Sequence, residues 1–177
     1  MNIALDQFDV KKIAQKDVIL ITPDNKDELY KSINSRKPSY YMIYYQTSNK
    51  KGQRYGHWCG LIIHPEIRQI WFFDSYGGFP DDQLEHIDDD HRVVSNQINR
   101  DVGEFLYSMT RRRYKIRYNE RCIQQLDKNI STCGRYIGLW IKKDIQPEKF
   151  VDWLLDLSNS VQQNTDEIIT IITNILL

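Results

Sequence analysis

The sequence predicts an α+β domain in which a central mixed, mostly antiparallel sheet is flanked by helices. Two observations predict it: the middle of the chain is dense in β-branched and aromatic residues, and segments on either side carry helix signals. With 177 residues and 12% aromatic residues, the chain is large enough to bury one core. We therefore expect residues 1–177 to form a single domain.

The first elements predicted are a helix and three strands. Thr22 and Pro23 suit the cap and first position of a helix. Residues 39–47 are rich in Tyr and Ile, as strands are. Residues 57–63 and 67–74 are two more strand candidates around Pro65-Glu66, so a β-hairpin is expected there.

The second half of the chain is mainly helical in pattern. Apolar residues recur at helical spacing over 98–109, and residues 114–118 suit a short strand. An amphipathic helix is expected after Pro147, covering residues 150–161, and a last helix over 166–177.

The charge distribution excludes a general attraction to nucleic acid or anionic membranes, because the net charge is zero. One basic cluster stands out within eleven positions, and it is expected to be a solvated face. The alternative is a site for an anionic activator. The cluster consists of Arg111, Arg112, Arg113, Lys115, Arg117 and Arg121.

Three cysteines without close pairing suit neither a disulfide framework nor a zinc site. A metal-dependent mechanism through His57, Cys59 and Cys133 would lack a second close-spaced ligand pair, so we expect no metal and no cofactor. Cys59 and Cys122 are expected to be small buried hydrophobes. The N-terminus lacks a signal-peptide pattern, and no apolar run is long enough to span a bilayer. An intracellular protein is expected.

The predicted hairpin brings a histidine beside an aspartate. A two-residue turn at Pro65-Glu66 would place His57 directly opposite Asp74, with Cβ atoms about 5 Å apart. A carboxylate there would orient the imidazole and stabilise its protonated form, which suits a general base. The alternative is a coincidental pair at a strand end. The other histidines, His64, His86 and His91, are assigned to the surface.

Residues 133–143 have the pattern of a helix that begins at Cys133, with Ser131 or Thr132 as its cap. The first turn of a helix favours an anion, and therefore a thiolate nucleophile. Gly134 would leave the backbone open to substrate, and the free N–H groups would suit an oxyanion. The alternative is a buried cysteine without chemistry.

Two adjacent glutamines, Gln124 and Gln125, precede Cys133. A glutamine amide held beside a thiolate can donate a hydrogen bond to an oxyanion. Without other motifs, two adjacent glutamines are typical of a solvent-exposed segment.

Four motifs in order resemble the adenovirus-type cysteine protease superfamily, which includes the SUMO- and NEDD8-deconjugating proteases. These motifs are Gly56-His57-Trp58, Phe73-Asp74-Ser75-Tyr76-Gly77, Gln124-Gln125 and Thr132-Cys133-Gly134. The interval from His57 to Asp74 also resembles the family's spacing. The resemblance implies an adenovirus-protease-like fold that is papain-like in its catalytic arrangement.

When the roles of the family's motif residues are transferred to the matching positions, the resemblance implies that Cys133 is the nucleophile, His57 the base and Asp74 its orienting acid. Trp58 would pack beside the catalytic centre. A glutamine and the Cys133 N–H would form the oxyanion hole. Spacing slightly favours Gln125, whereas Gln124 follows an apolar residue, as the family's glutamine often does. The interval from Gln125 to Cys133 is somewhat longer than in relatives.

The segment from Asp74 to Gly78, followed by Phe79-Pro80, resembles the viral maturation proteases more than the deconjugases. The resemblance implies a cysteine endopeptidase that processes viral capsid or core precursors at Gly-rich sites during virion maturation. It would act in the host cytoplasm, the viral factory and the virion. One alternative is a deconjugating protease that cuts after the Gly-Gly tail of a ubiquitin-like modifier. Another is an inactive relative that only binds a partner.

Overall fold

A five-stranded mixed sheet, in the order β1-β2-β3-β4-β5, forms the middle of the computed structural model, which describes residues 5–50, 53–126 and 130–177. The three central strands are antiparallel, and each edge strand runs parallel to its neighbour. This confirms the predicted fold class. The strands are β1 (Val18–Ile21), β2 (Ser39–Lys50), β3 (Gln53–His64), β4 (Gln69–Asp74) and β5 (Lys115–Tyr118).

Helices cover both faces of this sheet. The described residues form α1 (Gln7–Ala14), α2 (Asp27–Ser32), α3 (Asp89–Val94), α4 (Asp101–Arg111), α5 (Cys133–Lys143), α6 (Pro147–Val161) and α7 (Thr165–Asn174). Helices α1, α5, α6 and α7 share one buried cluster with the sheet, while α2 and α4 share another. In the described part of the chain, no helix is long and apolar enough to cross a membrane.

Helix α5 lies very close to β3, and a glycine makes this possible. A Cβ on Gly60 would lie 2.8 Å from the Trp140 ring, so only a residue without a side chain fits there. The same helix contacts α1, where Gly138 faces Ile13. These contacts fix the N-terminus of α5, and with it Cys133, relative to the sheet.

The β3–β4 connection differs from the predicted two-residue turn. Residues Pro65–Ile67 form a 3₁₀ turn, Arg68 follows in the left-handed region at φ 53°, and His64 pairs with Gln69. The loop is therefore two residues longer than predicted.

The longer loop shifts the register, because turn length sets which residues face each other. Cys59, and not His57, is the direct partner of Asp74. The prediction that His57 and Asp74 are directly opposed was therefore wrong. His57 lies two residues before Cys59 in β3, on the same face of the sheet.

The helix predicted at Thr22 also begins later. Asn25 accepts a hydrogen bond from the Thr22 N–H at 2.7 Å and donates one to the Leu20 carbonyl at 2.9 Å, which forms a turn. The helix itself begins at Asp27. Strands β2 to β5 and helices α4 to α7 overlap the predicted segments, while α1, β1 and α3 were not predicted.

Candidate active site

His57 and Asp74 are hydrogen-bonded although they are not cross-strand partners. The His57 Nε2 lies 2.6 Å from the Asp74 Oδ1, and both side chains are buried. Because a carboxylate only accepts, Nε2 carries the proton, which leaves Nδ1 for a second partner. The arrangement orients the imidazole as a general base requires.

Asp74 is itself held at the end of β4 by several donors. Its Oδ1 also accepts from the Tyr76 N–H at 2.8 Å, and its Oδ2 accepts from the Gln83 amide at 3.4 Å. Asn119 bonds the Asp74 backbone on both sides, accepting from its N–H at 3.1 Å and donating to its carbonyl at 2.6 Å. The carboxylate is therefore fixed in position.

Cys133 is the first residue of α5, as predicted, and its side chain interacts with the His57 imidazole, whose pKa it raises. Thr132 occupies the cap position, but its hydroxyl donates to Asp166 and does not cap the helix. The backbone N–H groups of the first turn therefore lack a side-chain cap and suit an anion.

The surroundings of His57 favour its protonated form. Burial by itself lowers the pKa of His57, but the hydrogen bond to the Asp74 carboxylate acts in the opposite direction, and the pKa is raised above its ordinary value. A histidine in this environment readily accepts a proton from a nearby thiol.

A second thiol, Cys59, lies in the same cluster. The ligand atoms of His57, Cys59 and Asp74 all lie within 4.8 Å of one another. Burial and the Asp74 carboxylate raise the pKa of Cys59 to about 12, so it is a neutral thiol. Cys59 is buried in the core, as predicted, and it lacks a helix N-terminus that would favour a thiolate.

The two glutamines occupy different environments. Gln124 is buried, accepts from the Ser75 hydroxyl at 2.7 Å and donates to the Tyr76 hydroxyl at 3.2 Å. The Gln125 side chain is exposed, and its backbone N–H donates to Asp166 at 2.9 Å. The structure therefore brings Gln124, and not Gln125, to the cluster around His57.

Tyr76 joins this cluster, and sequence reasoning gave it no role. Its ring stacks on the His57 imidazole with centroids 4.4 Å apart and planes at 16°. If the pairing of β3 and β4 continued, the partner of His57 would be Tyr76, which lies two residues beyond the end of β4. The same side chain thus contacts both His57 and Gln124.

Trp58 and Gly134 pack together next to Cys133. The Trp58 Nε1 donates to the Leu5 carbonyl at 3.1 Å, and its indole is buried. A Cβ on Gly134 would lie 3.2 Å from Leu5, 3.2 Å from Val10 and 3.3 Å from Trp58. Gly134 therefore allows this close packing, and its predicted role in leaving the backbone open to substrate stays a prediction.

Asp166 is a further buried residue that sequence reasoning missed. It accepts from the Gln125 N–H, the Thr132 hydroxyl and, at 3.2 Å, the Tyr136 hydroxyl. It thereby ties the start of α7 to the glutamine segment and to the start of α5.

Two other expectations are corrected. Cys122 is exposed, and its thiol lies 3.1 Å from the Gln124 carbonyl. His64 is buried between Glu66 at 2.9 Å and Asp144 at 3.1 Å. Neither therefore has the environment predicted from the sequence.

The basic cluster is divided in the structure. Arg117 pairs with Glu148 at 3.2 Å, and Arg121 pairs with Asp152. Three exposed arginines at the end of α4 line one shallow depression with a fourth from the β3–β4 turn. These four are Arg68, Arg111, Arg112 and Arg113.

Helix α5 thus begins at a cysteine that interacts with His57, and His57 is hydrogen-bonded to Asp74 at the end of β4. No protein-family model matches the chain. Uncharacterized protein V9 of Sputnik virophage is 30% identical over 173 residues, which cover 97% of this chain and 95% of V9. The chain therefore belongs to the same family as this virophage protein.

The fold is similar to that of a solved structure. ChlaDub1 from Chlamydia trachomatis has a TM-score of 0.51 at 12% identity, over 86% of this chain and 85% of that one. The SUMO protease Ulp1 has a TM-score of 0.39 at 14% identity, over 94% and 75% of the two chains.

Proposed function

We propose that the chain is a cysteine protease in which Cys133 is the nucleophile, His57 the general base and Asp74 its orienting acid. This proposal rests on one observation, which is that these three residues lie in the same site. His57 bonds Asp74 at 2.6 Å through one nitrogen, and Cys133, the first residue of α5, interacts with the same ring.

In this proposal, the imidazole takes the proton of the Cys133 thiol, and the sulfur attacks the scissile carbonyl. The protonated His57 then gives its proton to the departing amine, which leaves an acyl-enzyme. A water molecule, deprotonated by His57, hydrolyses the thioester and restores the thiol. Asp74 stabilises the imidazolium at each stage without changing its own protonation.

Gln124 is the better candidate for the oxyanion donor. Its buried amide lies in the His57–Tyr76 cluster, whereas Gln125 points to solvent. An amide N–H of Gln124 and the backbone N–H of Cys133 would together stabilise the charge that develops on the carbonyl oxygen. Tyr76 is a positioning residue, because it contacts both the imidazole and this amide.

The substrate class we propose is viral capsid or core precursor proteins, cut at Gly-rich sites during virion maturation. Membership in a virophage protein family supports the viral setting, and hence the viral factory, host cytoplasm and virion as places of action. Cys133 is only 6% exposed and His57 only 3%. A nucleophile enclosed this closely favours substrates without bulky side chains next to the scissile bond.

An anionic activator, if one is used, would bind a smaller surface than the whole basic cluster. Arg117 and Arg121 already have acidic partners. The four arginines of the shallow depression, namely Arg68, Arg111, Arg112 and Arg113, remain as the candidate surface. A salt- and nucleic-acid-independent activity would eliminate this part of the proposal.

The test is to incubate the purified protein with virion structural proteins and map new N-termini by mass spectrometry. Wild type should produce discrete cuts after small residues, C133A none, and C122S the wild-type pattern. Cleavage of Gly-Gly-linked modifiers alone would replace the substrate class with a deconjugase. Absence of any cleavage would favour a protein that only binds a partner.

A further inference from the structure

Cys59 is a buried nucleophilic group that the proposed reaction does not use. It lies directly opposite Asp74 and two residues from His57 on the same face of β3. One ligand atom from each of the three residues lies within 4.8 Å of the other two. A thiol, an imidazole and a carboxylate at this separation are a recognisable set of metal ligands.

The cluster is close to the dimensions of a zinc site. In a tetrahedral site with zinc–ligand bonds of about 2.0–2.3 Å, ligand atoms lie roughly 3.3–3.8 Å apart. The three ligand atoms lie at most 4.8 Å apart, and the His57 Nε2 lies 2.6 Å from the Asp74 Oδ1, so a small adjustment of the three side chains would reach this spacing.

Neighbouring residues also hold these ligands in position, as is usual for metal ligands. The Tyr76 N–H bonds the Asp74 carboxylate, Asn119 fixes the Asp74 backbone, and the Tyr76 ring stacks on His57. Cys59 belongs to the packed cluster on the α4 face of the sheet. Little reorganisation of the backbone would be needed on binding.

We propose that Cys59, His57 and Asp74 form a binding site for a soft divalent cation, with Zn²⁺ as the chemical type, and that the bound cation inhibits the enzyme. The inhibition rests on the proposed protease function, whereas the binding does not. On binding, the Cys59 proton passes to solvent, and the imidazole coordinates through one nitrogen while its single remaining proton lies on the other. The imidazole can then no longer accept the proton of Cys133, and a chelator reverses the effect.

Binding is tested without reference to activity, in the C133A protein under reducing conditions. Cys59 and Cys122 are then the two remaining thiols, since the chain has three cysteines. Co²⁺ titration should produce the absorption of a thiolate–Co²⁺ bond in C133A and in C133A/C122S alike. In C133A/C59S this absorption should disappear, and the dissociation constant for Co²⁺ should rise by about tenfold or more.

A second variant, C133A/D74N, keeps the thiol and should also bind Co²⁺ more weakly, which guards against a misfolded C59S protein. The proposal is overturned if folded C133A shows no thiolate–Co²⁺ absorption, or if C59S binds as tightly as its parent.

Inhibition is tested by adding Zn²⁺ to proteins with Cys133 intact, each normalised to its own metal-free rate. Zn²⁺ should inhibit wild type and C122S, and should inhibit C59S only at concentrations about tenfold higher or more. Equal inhibition of C59S would assign the metal to Cys133 and His57 alone and overturn the proposal. If no substrate is hydrolysed, the protease proposal fails, and the Co²⁺ titration still decides the metal site.

Discussion

Cys59 and Asp74 face each other across the β3–β4 hairpin, and His57, two residues before Cys59 in β3, is hydrogen-bonded to the same carboxylate. This diagonal arrangement leaves the position opposite His57 to Tyr76, whose ring covers the imidazole. The base therefore has a carboxylate at one nitrogen, an aromatic ring on one face and two thiols nearby. Each of these contacts leads to a measurable consequence.

Replacing Asp74 with Asn should leave the fold intact but lower kcat by about 10²- to 10⁴-fold, because the amide no longer fixes the proton on Nε2 or stabilises the imidazolium. Steady-state hydrolysis of a cleaved peptide measures this. A Q83A control removes only the longer 3.4 Å bond to the carboxylate and should change kcat little. A fully active D74N enzyme would remove Asp74 from the mechanism.

The two glutamines should behave differently. Q124A should lower kcat by about 10²- to 10³-fold, since one oxyanion donor is lost. The matched control is Q125A. Its kcat should be near that of wild type, because the Gln125 side chain is exposed. The opposite ranking of the two variants would assign the oxyanion role to Gln125.

Tyr76 offers two separable contacts. Y76F keeps the ring on His57 but removes the hydroxyl that accepts from Gln124, and should lower kcat by about 2- to 10-fold with little change in KM. Y76L removes both contacts and should lower kcat further, with a shifted pH–rate profile. A purely structural residue would instead lower the melting temperature and leave the pH profile unchanged.

His64 should make stability depend on pH. Burial by itself lowers the pKa of His64, but bonds to Asp144 and Glu66 outweigh burial and raise it. The stabilisation from its protonated form is therefore complete below the unfolded value of about 6.5 and is lost as pH rises through the folded value.

The free energy of unfolding in urea should accordingly differ most between wild type and H64Q near pH 5.5–6, and the difference should shrink toward pH 9. H86Q is the control, because His86 is exposed. A difference that grows with pH would contradict the assignment.

Local patterns were sufficient to predict the helix that carries Cys133 and the strands that carry His57 and Asp74. The hydrophobic pattern predicts where a strand lies, but the length of the turn decides which residues of two strands face each other. Because the turn between β3 and β4 is longer than predicted, Cys59 and not His57 is the partner of Asp74. Helix α1 was missed although Asp6 and Asp9 form a capping box, since a pair of aspartates is a weaker signal than Ser followed by Glu.

The choice between Gln124 and Gln125 could not be made from the sequence. It depends on Ser75, Tyr76 and Asp166, which are distant in the chain and act only after folding. The burial of His64 similarly depends on Asp144, eighty positions away. Such tertiary contacts leave no local pattern in a single sequence.

The most direct test of the central claim is selective alkylation of Cys133. Native protein would be treated with limiting iodoacetamide from pH 5 to 9, with wild type compared to H57A and modified thiols located by mass spectrometry. The account predicts that Cys133 reacts fastest below the ordinary thiol pKa of about 8.5, although Cys122 is the exposed cysteine, and that H57A abolishes this preference. If Cys133 reacts no faster than Cys122, or if H57A changes nothing, Cys133 is not activated by His57 and the proposed protease mechanism is wrong.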